Sequence, residues 1–179
     1  DATPPPVPNR LKLYNASNFF DQRAVPVQDL PAIAALAAPF AGVTVESHAR
    51  TIGPRTLEVA RMLSGSLEVA IGLETTHPAA IEHLNKRLSL TRFAQAAGFL
   101  ADHAIALRVF VLLNPPYVPP QQTVQSTVQA VEYAVRCGAA VVALIPVRSG
   151  NGEMERLQAL GHFTLPTLSG LVDTLDRCL

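Results

Sequence analysis

Five short apolar runs punctuate the chain: LKLYNA from Leu11, VTVES from Val43, LEVAIGLE from Leu67, ALRVFVLLN from Ala106 and AVVALIPV from Ala140. Each is rich in Val, Ile and Leu with little alternation, the pattern of strands covered on both faces. Helical signals fill the gaps. Asp29-Leu30-Pro31 caps and starts AIAALAAPF, Gly53-Pro54 leads into RTLEVARML, and Thr76-His77-Pro78 opens AAIEHL. Thr91 opens RFAQAAGFLADH. The segment QQTVQSTVQAVEYAVRCG places Val124, Val128, Val131 and Val135 at helical spacing and stops at Gly138. Two last helices follow, around Glu153–Leu160 and Thr167–Arg177. Strand starts recur roughly every 25 to 38 residues, the size of a βα unit. That rhythm predicts an α/β fold with a mostly parallel sheet of about five strands and right-handed crossovers. Five strands do not close an eight-stranded barrel. The pattern admits either an open doubly wound sheet or part of a larger barrel-like sheet.

Composition agrees with a packed domain. Of 179 residues 49% are hydrophobic and only 16% charged, enough for one sizeable core and too apolar for disorder. Fourteen basic and fourteen acidic residues cancel, so charge gives no indication of nucleic acid. No apolar run approaches the roughly 20 residues that span a bilayer, and the expected location is the cytoplasm. Residues 1–10, DATPPPVPNR, read as a proline-rich linker or the cut edge of a longer protein; residues 11–179 read as the domain. Cys137 and Cys178 match no metal or redox spacing and read as idle thiols.

In parallel α/β folds ligands sit beyond the carboxyl ends of the strands. Read in order, those ends carry Asn15, Ser17 and Asn18; Glu46, Ser47 and His48; Glu74, Thr75 and Thr76; Asn114, Pro115, Pro116 and Tyr117; then Arg148 and the GNG turn. Glu46 and Glu74 each follow an unbroken apolar strand, where a partly desolvated carboxylate is costly without a partner. They are either structural, paired with a nearby arginine, or ligand-facing. His48 and His77 read first as surface or capping residues. No Ser–His–Asp order, P-loop or GxGxxG is present.

The run LEVAIGLETTHPAAIEHLNKRLSLTRFAQAAGFLADHAIALRVFVLLNPPYVPPQQTV resembles the fourth and fifth strand units of radical S-adenosylmethionine enzymes. The branch is the one that includes the Elongator catalytic subunit. GLET, then LNKR, then an apolar strand ending LLNPP are the landmarks. LKLYNASNFFDQRAVP is similar to that branch's second strand and loop, VTVESH to the third strand and AVVALIPVRSGNG to the sixth. The resemblance runs from Arg10 to about Gly152. It implies a partial TIM-like (β/α) barrel of six strands, of which the first is missing here. In the family that strand leads into a CxxxCxxC loop holding a [4Fe-4S] cluster, and this chain has no such motif.

What the resemblance further implies is S-adenosylmethionine as cofactor, cleaved reductively to a 5′-deoxyadenosyl radical in a full-length protein, this chain being inactive alone. Asn15, Ser17 and Asn18 take the position that binds the methionine ammonium, although the family's Gly-Gly-Glu-like motif is absent there. Glu46 and Glu74 face the ribose hydroxyls or the sulfonium. Lys86 or Arg87 pairs with the methionine carboxylate, Asn114 lines the adenine side, and Arg148 reaches substrate. The substrate is not readable. A first strand edge left open at LKLYNA invites a second copy or a fusion partner. Two other readings stand beside this one: a cluster-less ligand-binding or interaction domain, and an ordinary α/β hydrolase or aldolase using Glu46 and Glu74 as an acid–base pair.

Overall fold

The computed structural model describes residues 9–14, 18–84 and 89–179. Residues 1–8 of the proline-rich segment, and with them Asn15, Ser17, Lys86 and Arg87, lie outside the described residues.

All five apolar runs are strands: β1 (Arg10–Leu13), β2 (Gly42–Glu46), β3 (Ser66–Glu74), β4 (Ala106–Leu113) and β5 (Val141–Pro146). Every pair is parallel and the order is β1-β2-β3-β4-β5. A doubly wound sheet reverses direction from its first strand. A strictly sequential sheet does not, and right-handed crossovers then keep the helices on one face. The result is a curled half-barrel of α/β type, which decides between the two architectures left open above.

The helices are α1 (Leu30–Ala37), α2 (Pro54–Met62), α3 (Pro78–His83), α4 (Leu90–Asp102), α5 (Thr123–Arg136), α6 (Glu153–Ala159) and α7 (Leu168–Cys178). Proline occupies the first turn of α1, α2 and α3, where a missing N–H costs nothing. The cap of α4 is Ser89, whose hydroxyl accepts from Arg92 N at 3.1 Å, and not the expected Thr91, which lies inside the helix. In α5 the buried face runs through Thr127, Ala130, Val131 and Ala134, and Val135 is 57% exposed. Of the expected stripe Val128 and Val131 are buried, Val124 is half-buried and only Val135 is exposed, the rest of the buried face being small residues. Gly138 does end the helix, at φ +88°, with Ala139 N bonded to Ala134 O at 3.1 Å.

The core lies on the convex side, between helices and sheet. Val43, Val45, Val69, Ile71, Val109 and Val111 meet Phe93 and Leu100 of α4 and Ala130 and Ala134 of α5. The expectation of strands covered on both faces holds for β2 and most of β3. It fails for β4, where buried and half-buried residues alternate, and for β5, which is half-buried at best. Their second face is the open concavity of the half-barrel.

Candidate functional site

Strand register decides which side chains share the concavity. Across β1 to β5 the rows are Arg10–Gly42–Ser66 and Lys12–Thr44–Glu68–Ala106, followed by Glu46–Ala70–Arg108–Val141 and Gly72–Phe110–Ala143. Tyr14 continues the β1 alternation onto this side and meets Phe110 edge to face, with ring centroids 6.1 Å apart.

Glu46 and Glu74 are both half-buried at the rim. Glu46 ends β2, and its carbonyl accepts from Phe19 N at 2.9 Å. Glu74 ends β3 at φ +67°, after a register shift between Gly72 and Glu74. That left-handed turn folds the carboxylate back over Gly72, where a Cβ would overlap its Oε1. Glycine leaves this space open to the carboxylate, which a side chain at position 72 would displace. Glu74 is therefore brought down to the Gly72 level of the concave face, on the strand beside Glu46.

Asn18 is also close by, but it faces inward. It is buried; Ser47 Oγ and His48 N (3.2 Å) donate to its Oδ1, and the Thr51 hydroxyl lies 2.7 Å from it. It clasps the loop after β1 to the loop after β2. Asn114 also takes a left-handed conformation, φ +55°, and its Nδ2 donates to Thr164 O at 3.3 Å, tying the β4 end to the segment before α7. Two residues past Pro115, Tyr117 (φ +65°) stacks on His83 at 4.4 Å and packs near His162 at 5.4 Å. Arg148 is exposed in the loop after β5. The structure thus gathers Glu46 and Glu74 on one rim and sets Asn114 and Arg148 apart on the β4 and β5 loops.

The strongest polar group on the concave face was not among the strand-end residues. Glu68, 5% exposed, accepts from Thr44 Oγ1 at 2.7 Å and from Arg108 Nε and Nη2 at 3.1 and 3.4 Å. Burial pushes its carboxyl up, but the Thr44 hydroxyl and the Arg108 guanidinium, helped by the charge of Arg10, outweigh burial and hold it below the ordinary carboxylate value. Arg10 lies across Gly42 and donates from Nη2 to Ser66 Oγ at 3.3 Å. The signal was present in the sequence: a single charge inside each of two apolar strands, LEVAIGLE and ALRVFVLL, opposite in sign.

Cys137 and Cys178 close α5 and α7 on the convex side, both half-buried and unbridged. Among the described residues no group of His, Cys, Asp or Glu is arranged to hold a metal ion, and no helix is long and apolar enough to cross a membrane.

No family model and no curated protein matches the sequence. Solved structures do. Elp3 of the archaeon Methanocaldococcus infernus, with residues 1–46 deleted, superposes at a TM-score of 0.73 and 9% identity, over 95% of this chain and 45% of that one. Coproporphyrinogen III oxidase (HemN) from Escherichia coli, a radical SAM enzyme, superposes at 0.57 and 11% identity, over 94% of this chain and 38% of that one. The chain thus spans less than half the length of either protein. At these identities what it shares with them is the fold, a partial (β/α) barrel.

Proposed function

We propose that this chain is the cofactor-cradling part of a radical S-adenosylmethionine enzyme. The observation that carries the reading is the sequential, all-parallel half-barrel, which superposes on HemN and Elp3 over nearly its whole length. The landmarks GLET, LNKR and LLNPP support it from the sequence.

The residues present fit the cofactor. Glu46 and Glu74 supply two rim carboxylates on adjacent strands, and Gly72 leaves the space in which Glu74 folds over the sheet. Carboxylates accept hydrogen bonds from ribose hydroxyls and offset a sulfonium charge. Asn15, Ser17, Asn18, Lys86, Arg87 and Asn114 complete the set proposed to hold the methionine and adenine ends. For Asn18 this role competes with its clasp, which already occupies the carbonyl oxygen. Arg148, exposed beyond β5, is the outlying substrate contact.

The residues do not fit the [4Fe-4S] cluster. A cluster needs several thiolates on one loop, and this chain has two cysteines on the far side of the sheet. S-adenosylmethionine supplies a carbon-centred radical only when an outside electron donor cleaves it. The part that falls to this chain is to bind and orient the cofactor and to keep one face of it dry. The same cysteine placement favours a second reading, a ligand-binding domain without redox chemistry.

Equilibrium dialysis of the 179-residue chain against labelled S-adenosylmethionine tests the binding. Saturable uptake with a Kd between about 1 µM and 1 mM is expected, reduced at least about tenfold in E46Q/E74Q. Uptake that is absent, or indifferent to both carboxylates, defeats the reading. Reductive cleavage by a longer form carrying a cluster loop separates the radical enzyme from the ligand-binding domain.

A further inference from the structure

The convex side of the molecule carries an apolar strip that nothing covers among the described residues. α7 packs on α5, with Thr174 fully shielded and Leu171 and Cys178 half-buried. A helix seated on one face turns polar residues to water on the other. α7 does so only in part. Ser169, Asp173, Asp176 and Arg177 are exposed, and Arg177 Nε lies 3.2 Å from Asp173. Between that polar face and the seated one runs a strip of Leu168, Val172, Leu175 and, directly after the helix, Leu179. They are 78, 49, 43 and 105% exposed. At about 100° per residue the four fall within about 60° of one another. Together they expose roughly 500 Å², a patch of the size that marks an interaction surface.

The spacing points to the occupant. The strip is separated by four, three and four residues, a pattern that reads the same from either end. A second α7 laid antiparallel across it therefore sets Leu168 against Leu179 and Val172 against Leu175, so each apolar residue meets another. Along the polar flank the same two-fold brings Asp176 beside Ser169 of the other copy, a hydroxyl donor for a carboxylate. A parallel arrangement would set Asp176 against Asp176. The chain is neutral overall, so no long-range repulsion holds two copies apart. Two strips bury about 1,000 Å², the lower bound of a specific interface and the area of a weak dimer. A lipid surface is the poorer match, because the flank carries aspartates where a membrane-surface helix carries basic residues. The open edge of β1 is poorer too: a two-fold pairing that continues the sheet puts Lys12 against Arg10 or against itself.

We infer that α7 is a self-association surface through which two copies of this chain pair antiparallel, along Leu168, Val172, Leu175 and Leu179. The surface is on the opposite side of the sheet from the rim carboxylates and owes nothing to the cofactor reading.

Sedimentation equilibrium of the 179-residue chain between about 5 and 500 µM tests the pairing. The average mass is expected to rise from 19.1 kDa toward twice that, with a Kd of about 10–200 µM. V172D/L175D changes exposed side chains only, so it keeps the parent Tm within about 2 °C and raises the Kd at least about tenfold. S169K places a cation beside Asp176 of the other copy and tightens the dimer about two- to fivefold, whereas S169D loosens it by a similar factor. A mass fixed at 19.1 kDa throughout overturns the surface. So does a mass that climbs past the dimer, or a dimer indifferent to V172D/L175D. S169K weaker than S169D means parallel helices and overturns the pairing.

Discussion

Replacing Glu68 with glutamine removes one charge from a buried pair and keeps the shape. Breaking a fully buried ion pair costs about 3–5 kcal/mol because the survivor is left uncompensated. Here Glu68 is 5% exposed, but the Arg108 side chain keeps 18% of its surface open and partly rehydrates. The carbonyl of the introduced amide still accepts from Thr44. The expected loss is therefore about 2–3 kcal/mol at pH 7, a fall in Tm of roughly 5–10 °C for a chain of this size. In E68Q/R108Q the two amides bond each other and no charge is stranded, so the double variant recovers more than half the loss. R108Q strands the more buried Glu68 and costs at least as much as E68Q, so the cycle gives a coupling of about 3 kcal/mol or more. The sign with pH follows from the lowered carboxyl of Glu68. The unfolded chain takes up its proton first, near the ordinary glutamate value of about 4.3, so the contribution is complete above that pH and is lost as pH falls through the lower folded value. Urea melts of parent, both single variants and the double, at pH 7 and pH 3, measure all of this. An E68Q within about 0.5 kcal/mol of the parent at pH 7 refutes the reasoning. A gap that does not shrink at pH 3, or a double variant as unstable as the summed singles, refutes it equally.

Three further outcomes follow from the geometry. Asn18→Ala removes the shared acceptor of the Ser47 and Thr51 hydroxyls and strands the His48 N–H; a urea melt should show a loss of about 1–3 kcal/mol, and an unchanged midpoint denies the clasp. Gly138→Ala puts a side chain at φ +88° and should cost about 1–2 kcal/mol in the same assay. Gly72→Ala places a methyl group where the Glu74 carboxylate rests; the flexible carboxylate swings aside, so Tm moves by less than about 2 °C while S-adenosylmethionine affinity falls about tenfold. Unchanged uptake in that variant removes Glu74 from the site.

The elements were legible because each rests on local chemistry. Proline and glycine mark the ends of α1, α2, α3 and α5, and apolar runs mark all five strands. Strand order was not, since a βα rhythm is common to doubly wound sheets and barrels and only tertiary pairing separates them. Reading strand ends found Glu46 and Glu74 but not the turn that lays Glu74 over Gly72, which depends on a left-handed residue and a register shift. The same habit passed over Glu68 and Arg108. They lie two residues out of register, Glu68 opposite Ala106 and Arg108 opposite Ala70, and pair diagonally, a relation visible only once the strands are aligned. The clasp made by Asn18 was not legible because its partners Ser47 and Thr51 are about thirty residues away.

Sequential strand order also shapes how the molecule comes apart. Among the described residues each strand is hydrogen-bonded only to its neighbours in the chain, so cohesion passes along the sheet from unit to unit, as in a stacked repeat. β3 is the keystone: it holds β2 and β4 over long ladders, and Val69 and Ala70 are fully shielded. β1 and β5, each laddered on one side among the described residues, are the natural points of fraying. Amide protons should exchange fastest at these flanks and slowest at Val69–Ile71, a gradient of protection from the ends of the sheet to its middle. The rim carboxylate Glu74 and the Glu68–Arg108 pair both belong to β3 or its ladder with β4, so these polar groups sit on the part of the sheet that opens last.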